Sequence, residues 1–133
     1  MAELLSHQGD RMSFAGRHAL ITGGGTGIGA ATARTLGAQG AKLSLLGRRR
    51  EPLEAVAAET GGTAIACDVT RREDIERAYA EARAANGPFD IAILNAGIGD
   101  SAPFLRTRRE AWDRIIATNL TALFDGAQLA LPD

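Results

Sequence analysis

The sequence predicts an α/β fold in three layers, a parallel sheet with helices on both faces. Three observations predict it. Short apolar runs alternate along the chain with stretches of helical periodicity. The runs are nearly continuous rather than alternating apolar and polar, as expected of strands buried on both faces. Glycines sit at the junctions, where the chain must turn sharply between elements. Such alternation implies right-handed crossovers between parallel strands.

Arg17 to Thr22 is an apolar run that stops abruptly at Gly23, Gly24 and Gly25, so it reads as strand one. Beyond Gly27, Ile28, Ala31, Ala33 and Leu36 keep helical spacing, and Gly40 stands where a left-handed C-terminal cap is expected. Ala41 to Leu46 is the second strand, followed by Gly47 and three arginines, then a helix marked by Leu53 and Val56 that ends at Gly61-Gly62. Thr63 to Cys67 forms strand three. Thr70 with Glu73 has the spacing of a capping box opening a helix through Ile75, Ala78, Tyr79 and Ala82, which Asn86-Gly87-Pro88 stops. Asp90 to Leu94 is strand four, and residues 95–106 form a loop. Thr107 with Glu110 suggests a second capping box, for a long helix over 108–131 whose apolar face holds Trp112, Ile115, Ile116, Leu120, Leu123 and Phe124.

The 133 residues suit one domain, with 45% hydrophobic and 23% charged residues supplying a core. Residues 1–13 lack a continuous apolar run and read as a flexible extension, neither signal peptide nor membrane span, leaving 14–133 as the folded part. Fifteen basic residues against sixteen acidic give a charge of -1 and no basic tract, which argues against nucleic acid. Cys67 is the only cysteine, and no Cys/His cluster has metal-site spacing, so no metal and a reducing, cytoplasmic setting are expected.

The chemistry concentrates at the ends of the strands. In Thr22-Gly-Gly-Gly-Thr-Gly-Ile-Gly29, the glycines let the backbone approach a pyrophosphate and turn directly into a helix whose first N–H groups favour an anion. That places phosphate near Gly25 to Ile28. The helix-terminus field contributes only ~0.3–1 kcal/mol at an exposed site, so several amide hydrogen bonds must supplement it. At the end of strand two, an acidic residue would suit a ribose 2′-hydroxyl and an arginine a 2′-phosphate. Here Arg48 and Arg49 follow Gly47 with no carboxylate beside them, which favours NADP(H) over NAD(H), with Arg48 the first choice.

The spacing Gly23-x3-Gly27-x-Gly29, followed in order by Asp68-Val69, Asn95-Ala96-Gly97 and Asn119, resembles the short-chain dehydrogenase/reductase family. The resemblance runs from about Phe14 to Leu131. It implies a Rossmann-type, doubly wound sheet of order 3-2-1-4. It also implies a dinucleotide held by Gly23, Gly25, Thr26, Gly27, Ile28 and Gly29, with Asp68 and Val69 on the adenine and Asn95, Ala96 and Gly97 closing strand four. Asn119 would kink the long helix and belong to the catalytic set.

The family's reaction, hydride exchange between the nicotinamide and an alcohol/carbonyl pair, also needs a Ser and a Tyr-x-x-x-Lys pair. The only tyrosine here, Tyr79, is followed by Ala80, Glu81, Ala82 and Arg83, and the only lysine is Lys42, so neither can form that pair. The expectation is therefore the dinucleotide-binding portion of an oxidoreductase, with the 3-oxoacyl/3-hydroxyacyl type as the family's example, truncated before its catalytic pair and inactive alone. A non-catalytic NADP-binding module or partner subunit, and an incomplete remnant, are the other readings. Ser101 to Arg106 would border only one side of a small carbonyl or alcohol substrate. Strand four is expected to be an open edge, with Ile91 and Ile93 under-covered, and the 108–131 helix to carry a homo-oligomer contact.

Overall fold

The structure, a computed structural model, describes residues 13–133, so the extension expected over 1–13 lies, Ser13 apart, outside the described residues. Four parallel strands form the sheet: β1 (His18–Thr22), β2 (Lys42–Gly47), β3 (Thr63–Ala66) and β4 (Ile91–Leu94), in the order β3-β2-β1-β4. This is the expected order. The helices between them are α1 (Gly27–Ala38), α2 (Arg50–Thr60) and α3 (Arg72–Asn86). After β4 come a single 3-10 turn at Phe104–Arg106, α4 (Arg109–Ile116), a π-helical turn at Ala117–Thr121 and α5 (Ala122–Ala130). The loop expected over 95–106 thus contains that 3-10 turn. None of the helices described is long and apolar enough to cross a membrane.

Pleating divides the core in two. Ala19, Ile21, Leu43 and Leu45 face α1 and α2, whereas Leu20, Leu46 and Ile65 face α3 and α5. Each such Leu or Ile contributes about 1.5–3 kcal/mol relative to exposure, so the central strands anchor both layers. The turn glycines fall where the chain reverses: Gly40 has φ 88°, and Gly61 caps α2 in the left-handed region at φ 71°.

Both capping boxes fail. Helix α3 starts at Arg72 behind Arg71, with no side-chain cap, because the Asp68 Oδ1 atom takes the Thr70 amide (3.0 Å) and hydroxyl (2.6 Å) in an Asx turn. Helix α4 likewise starts at Arg109, and the Thr107 hydroxyl donates back to the Pro103 carbonyl at 3.3 Å.

The last helical segment reaches the sheet through small residues. Ala122, Gly126 and Ala130 are buried, and the Tyr79 hydroxyl donates to the Gly126 carbonyl at 3.3 Å. The large side chains point elsewhere: Trp112 is 52% exposed, Leu120 60% and Phe124 64%. Strand β4 pairs only with β1 among the described residues, so its other edge is open as expected.

Candidate functional site

Register sets the site. Thr22 pairs with Leu46 on one side and Leu94 on the other, so strands β1, β2 and β4 end level with one another. Their following loops, with that after β3, emerge along the same edge of the sheet. Crevices at the carboxyl ends of parallel strands are where α/β sheets bind ligands.

Gly23 and Gly24 donate their amides to the Leu46 carbonyl at 2.7 and 3.2 Å, which clamps the loop start to β2. Only the amides beyond them are available: those of Gly25, Thr26, Gly27 and Ile28 make no hydrogen bond among the described residues. That narrows the expected amide cradle to its second half, where phosphate is expected. No acidic residue occupies the first turn of α1 to oppose an anion there.

Sterics explain the glycines. A Cβ on Gly29 would overlap the Gly23 carbonyl oxygen, and one on Gly23 would lie 3.0 Å from Asn95 Nδ2. Gly27 has open space around it but a φ of 52°, which favours glycine for conformational reasons. Ile28 is 78% exposed, so its own side chain does not plug the loop mouth.

Two cavities open beside this loop. One of about 410 Å³ lies between Gly25, Thr26, Arg48, Arg49 and Pro52. The other, about 140 Å³, lies between Arg48, Asp68, Val69, Ala96 and Gly97, with Thr118 at its margin. They share Gly23, Gly47 and Arg48, and so form one groove across the strand ends. Arg48 and Arg49 form no ion pair among the described residues, whereas Arg50 pairs with Glu54 at 3.5 Å. Two unpaired guanidinium groups therefore flank the larger cavity, and the Asp68 carboxylate borders the smaller.

Not every expected residue reaches the groove. Gly27, Ile28 and Gly29 shape the loop and the helix start rather than lining a cavity. Asn95 works behind it, donating to the Thr22 carbonyl at 3.3 Å while the Ala96 amide donates to the Thr22 hydroxyl at 3.0 Å. Asn119, within the π-helical turn, spends both side-chain groups on Ile98: its Oδ1 accepts the Ile98 amide at 2.9 Å and its Nδ2 donates to the Ile98 carbonyl at 2.8 Å. It fastens the segment after β4 to the last helix. Sequence reasoning missed Thr22, Thr118 and Pro52. Thr22, a hydroxyl at the end of an apolar strand, was the one with a visible signal.

The tyrosine is structural. Tyr79 is buried against Phe89, ring centroids 5.2 Å apart, and burial pushes its phenol well above the ordinary range. Lys42 begins β2, so it stands at the opposite end of that strand from the groove.

The family described as short chain dehydrogenase matches residues 17–133. The 3-oxoacyl-[acyl-carrier-protein] reductase MabA of Mycobacterium bovis is 33% identical over 92% of this chain and 47% of its own length. A sorbitol dehydrogenase of Cereibacter sphaeroides is 39% identical over 83% of this chain and 44% of its own. The crystal structure of a 3-ketoacyl-(acyl-carrier-protein) reductase from Brucella melitensis complexed with NADH superposes with a TM-score of 0.88 at 32% identity, covering 90% of this chain and 51% of that one. The chain thus spans about half the length of the relatives it matches. With the sheet order, the glycine loop and the strand-end groove in agreement with the match, the chain belongs to the short-chain dehydrogenase family.

Proposed function

We propose that these residues form the dinucleotide-binding portion of an NAD(P)-dependent oxidoreductase acting on an alcohol/carbonyl pair, and that the nucleotide is NADP(H) in preference to NAD(H). The observation that carries this reading is the groove itself. Gly25 and Thr26, with their free amides, and unpaired Arg48 and Arg49 flank one cavity, and a carboxylate borders the next. That sequence of groups complements diphosphate, 2′-phosphate and adenine amino group in turn. Space fits as well, since glycine is the residue that lets the loop backbone approach a ligand so closely.

When bound, the nicotinamide would supply or accept the hydride. The chain's own residues bind and orient: the loop amides hold phosphate, Asp68 and Val69 meet the adenine, and Asn119 keeps Gly97 and Ile98 in place. No Tyr-x-x-x-Lys pair is present in the 133 residues, so the family's proton donor is not among them, and this chain alone is expected to turn over no ketone. A 3-oxoacyl or similar carbonyl compound is the substrate class that two of the named relatives suggest. Self-association through the 108–131 helix and a reducing, cytoplasmic setting complete the proposal, the latter supported by one buried thiol, Cys67.

Titration of the purified chain with NADPH at low salt tests this. Saturable binding at micromolar concentration is expected, tighter than NADH by at least about tenfold, because a charge-assisted bond to Arg48 contributes about 1.5–3 kcal/mol. Arg48→Ala should erase most of that preference. Absence of binding by a chain whose circular dichroism reports folded α/β structure overturns the proposal.

A further inference from the structure

The turn between β3 and α3 is held from both sides of Cys67 by two residues of α3. Asp74 Oδ2 accepts the Asp68 amide at 2.6 Å, and Asp74 Oδ1 accepts Arg77 Nε and Nη2 at 2.9 and 2.7 Å. Arg77 Nη2 donates in addition to the Ala66 carbonyl at 2.6 Å. One carboxylate and one guanidinium thus clasp the last carbonyl of the strand and the amide two residues on. The Asp68 amide, followed by the Arg77 guanidinium, holds the Asp74 carboxyl below its usual range, so the clasp carries full charge near neutrality.

This clasp determines what Asp68 presents. With its amide fixed on Asp74, Asp68 turns its Oδ1 onto Thr70, whose amide and hydroxyl both donate to it. Its Oδ2 accepts no hydrogen bond among the described residues, and Asp68 borders the 140 Å³ cavity. One oxygen is therefore spent locally and the other is left as an acceptor at the groove. An acceptor at this place selects a donor on the ligand, and the exocyclic amino group of adenine is such a donor.

We infer that Asp74 and Arg77 are positioning residues for purine discrimination: by clasping the β3–α3 turn they hold the Asp68 carboxylate where it reads a 6-amino group, without touching the nucleotide themselves. The inference rests on the dinucleotide reading above and extends it to residues outside the groove.

The test compares NADPH with its hypoxanthine analogue, which carries a 6-oxo acceptor in place of the 6-amino donor and an N1–H in place of the N1 acceptor, the sugar and phosphates being the same. The unsubstituted chain should prefer NADPH by about tenfold, the value of one hydrogen bond to a charged partner. In Asp74→Asn and in Arg77→Gln the preference should fall towards unity, with phosphate-dominated affinity for the analogue little changed. A merely structural role would weaken both ligands equally, leaving their ratio intact, and that result overturns the inference. So does an unsubstituted chain that binds both nucleotides alike. Arg77→Gln removes only the outer half of the clasp and serves if Asp74→Asn does not fold, while Arg77→Lys should restore part of the ratio. Failure of the unsubstituted chain to bind either nucleotide would instead overturn the dinucleotide reading, and the inference with it.

Discussion

The glycine-loop corner and the β4–α5 flank are made of the same parts, a parallel strand and a helix meeting through glycine, yet one is closed and the other open. At the corner, Gly29 of α1 is buried against the Gly23 carbonyl, and the β2 carbonyl of Leu46 holds the loop start. On the flank, Gly126 of α5 is buried against the Tyr79 hydroxyl and the Leu94 side chain. A cavity of about 370 Å³ opens there between Ala92, Leu94, Ala127 and Leu131. The corner is locked by backbone, while the flank rests on side-chain tips and can give way. Rigidity lies where a ligand must find preset amides, and apolar surface remains where a neighbour can cover it.

The same substitution at the two glycines tests this contrast most strongly. Both lie within helices, so Gly→Ala brings the same propensity gain, about 1 kcal/mol, at each. At Gly29 the new methyl meets a fixed carbonyl, and Gly29→Ala should cost a net ~3 kcal/mol, lowering the thermal midpoint by roughly 10 °C and abolishing nucleotide binding. At Gly126 the methyl would lie 3.0 Å from Tyr79 Oη and 3.2 Å from a Leu94 methyl, both at the ends of side chains. Gly126→Ala should therefore change stability by less than about 1 kcal/mol. Equal losses in thermal denaturation would show the flank to be as tightly built as the corner.

Association gives a smaller, concentration-dependent effect confined to the open half. Trp112 and Phe124 leave half or more of their surface exposed, and the chain has no other tryptophan. Its emission should shift to the blue as concentration rises, in step with an increase in sedimentation coefficient. Trp112→Arg with Phe124→Arg should hold the chain monomeric in sedimentation while altering thermal stability by no more than about 0.5 kcal/mol for each exposed site. A double variant that unfolds would place these side chains in the core instead.

What was legible in the sequence divides along the same line. The parallel strands and the glycine loop could be read because buried parallel strands are continuously apolar and glycine has steric reasons that residue type alone reveals, whereas the strand order came with the family resemblance. The two caps could not. Thr70 had the right spacing, but Asp68, two residues earlier, captured its amide and hydroxyl. The packed face of the last helix was hidden for a different reason. Hydrophobicity ranks Trp112 and Phe124 above Ala122 and Gly126, whereas close approach of a helix to a sheet selects the small residues. The Asp74–Arg77 clasp escaped because an i,i+3 ion pair on a charged helix looks like ordinary surface, and only the fold brings the Asp68 amide and Ala66 carbonyl to it.

The smallest expected signal is alkaline titration, and it is reported by one cysteine and one tyrosine that share the core layer beneath α3 and α5. Cys67 lies beneath the smaller cavity, where burial raises its thiol from an ordinary 9.0 to about 12. Tyr79 lies under α5, and burial raises its phenol above its ordinary 10.0. In both cases the folded state keeps a proton that the unfolded chain releases sooner. The stability contributed by these two groups is therefore fully present well below pH 9 and falls as pH rises through the unfolded values, first for Cys67 and then for Tyr79. Thiolate absorbance at ~240 nm and phenolate absorbance at ~295 nm should both stay silent past their ordinary ranges and then appear together, at the pH where far-ultraviolet dichroism is lost. Phenolate absorbance near pH 10 with the thiol still silent would mean that α5 lifts from Tyr79 while the end of β3 stays packed. In that case α5 would open as a cooperative unit separate from the strands it covers, which places the looseness of the flank in the helix rather than in the sheet.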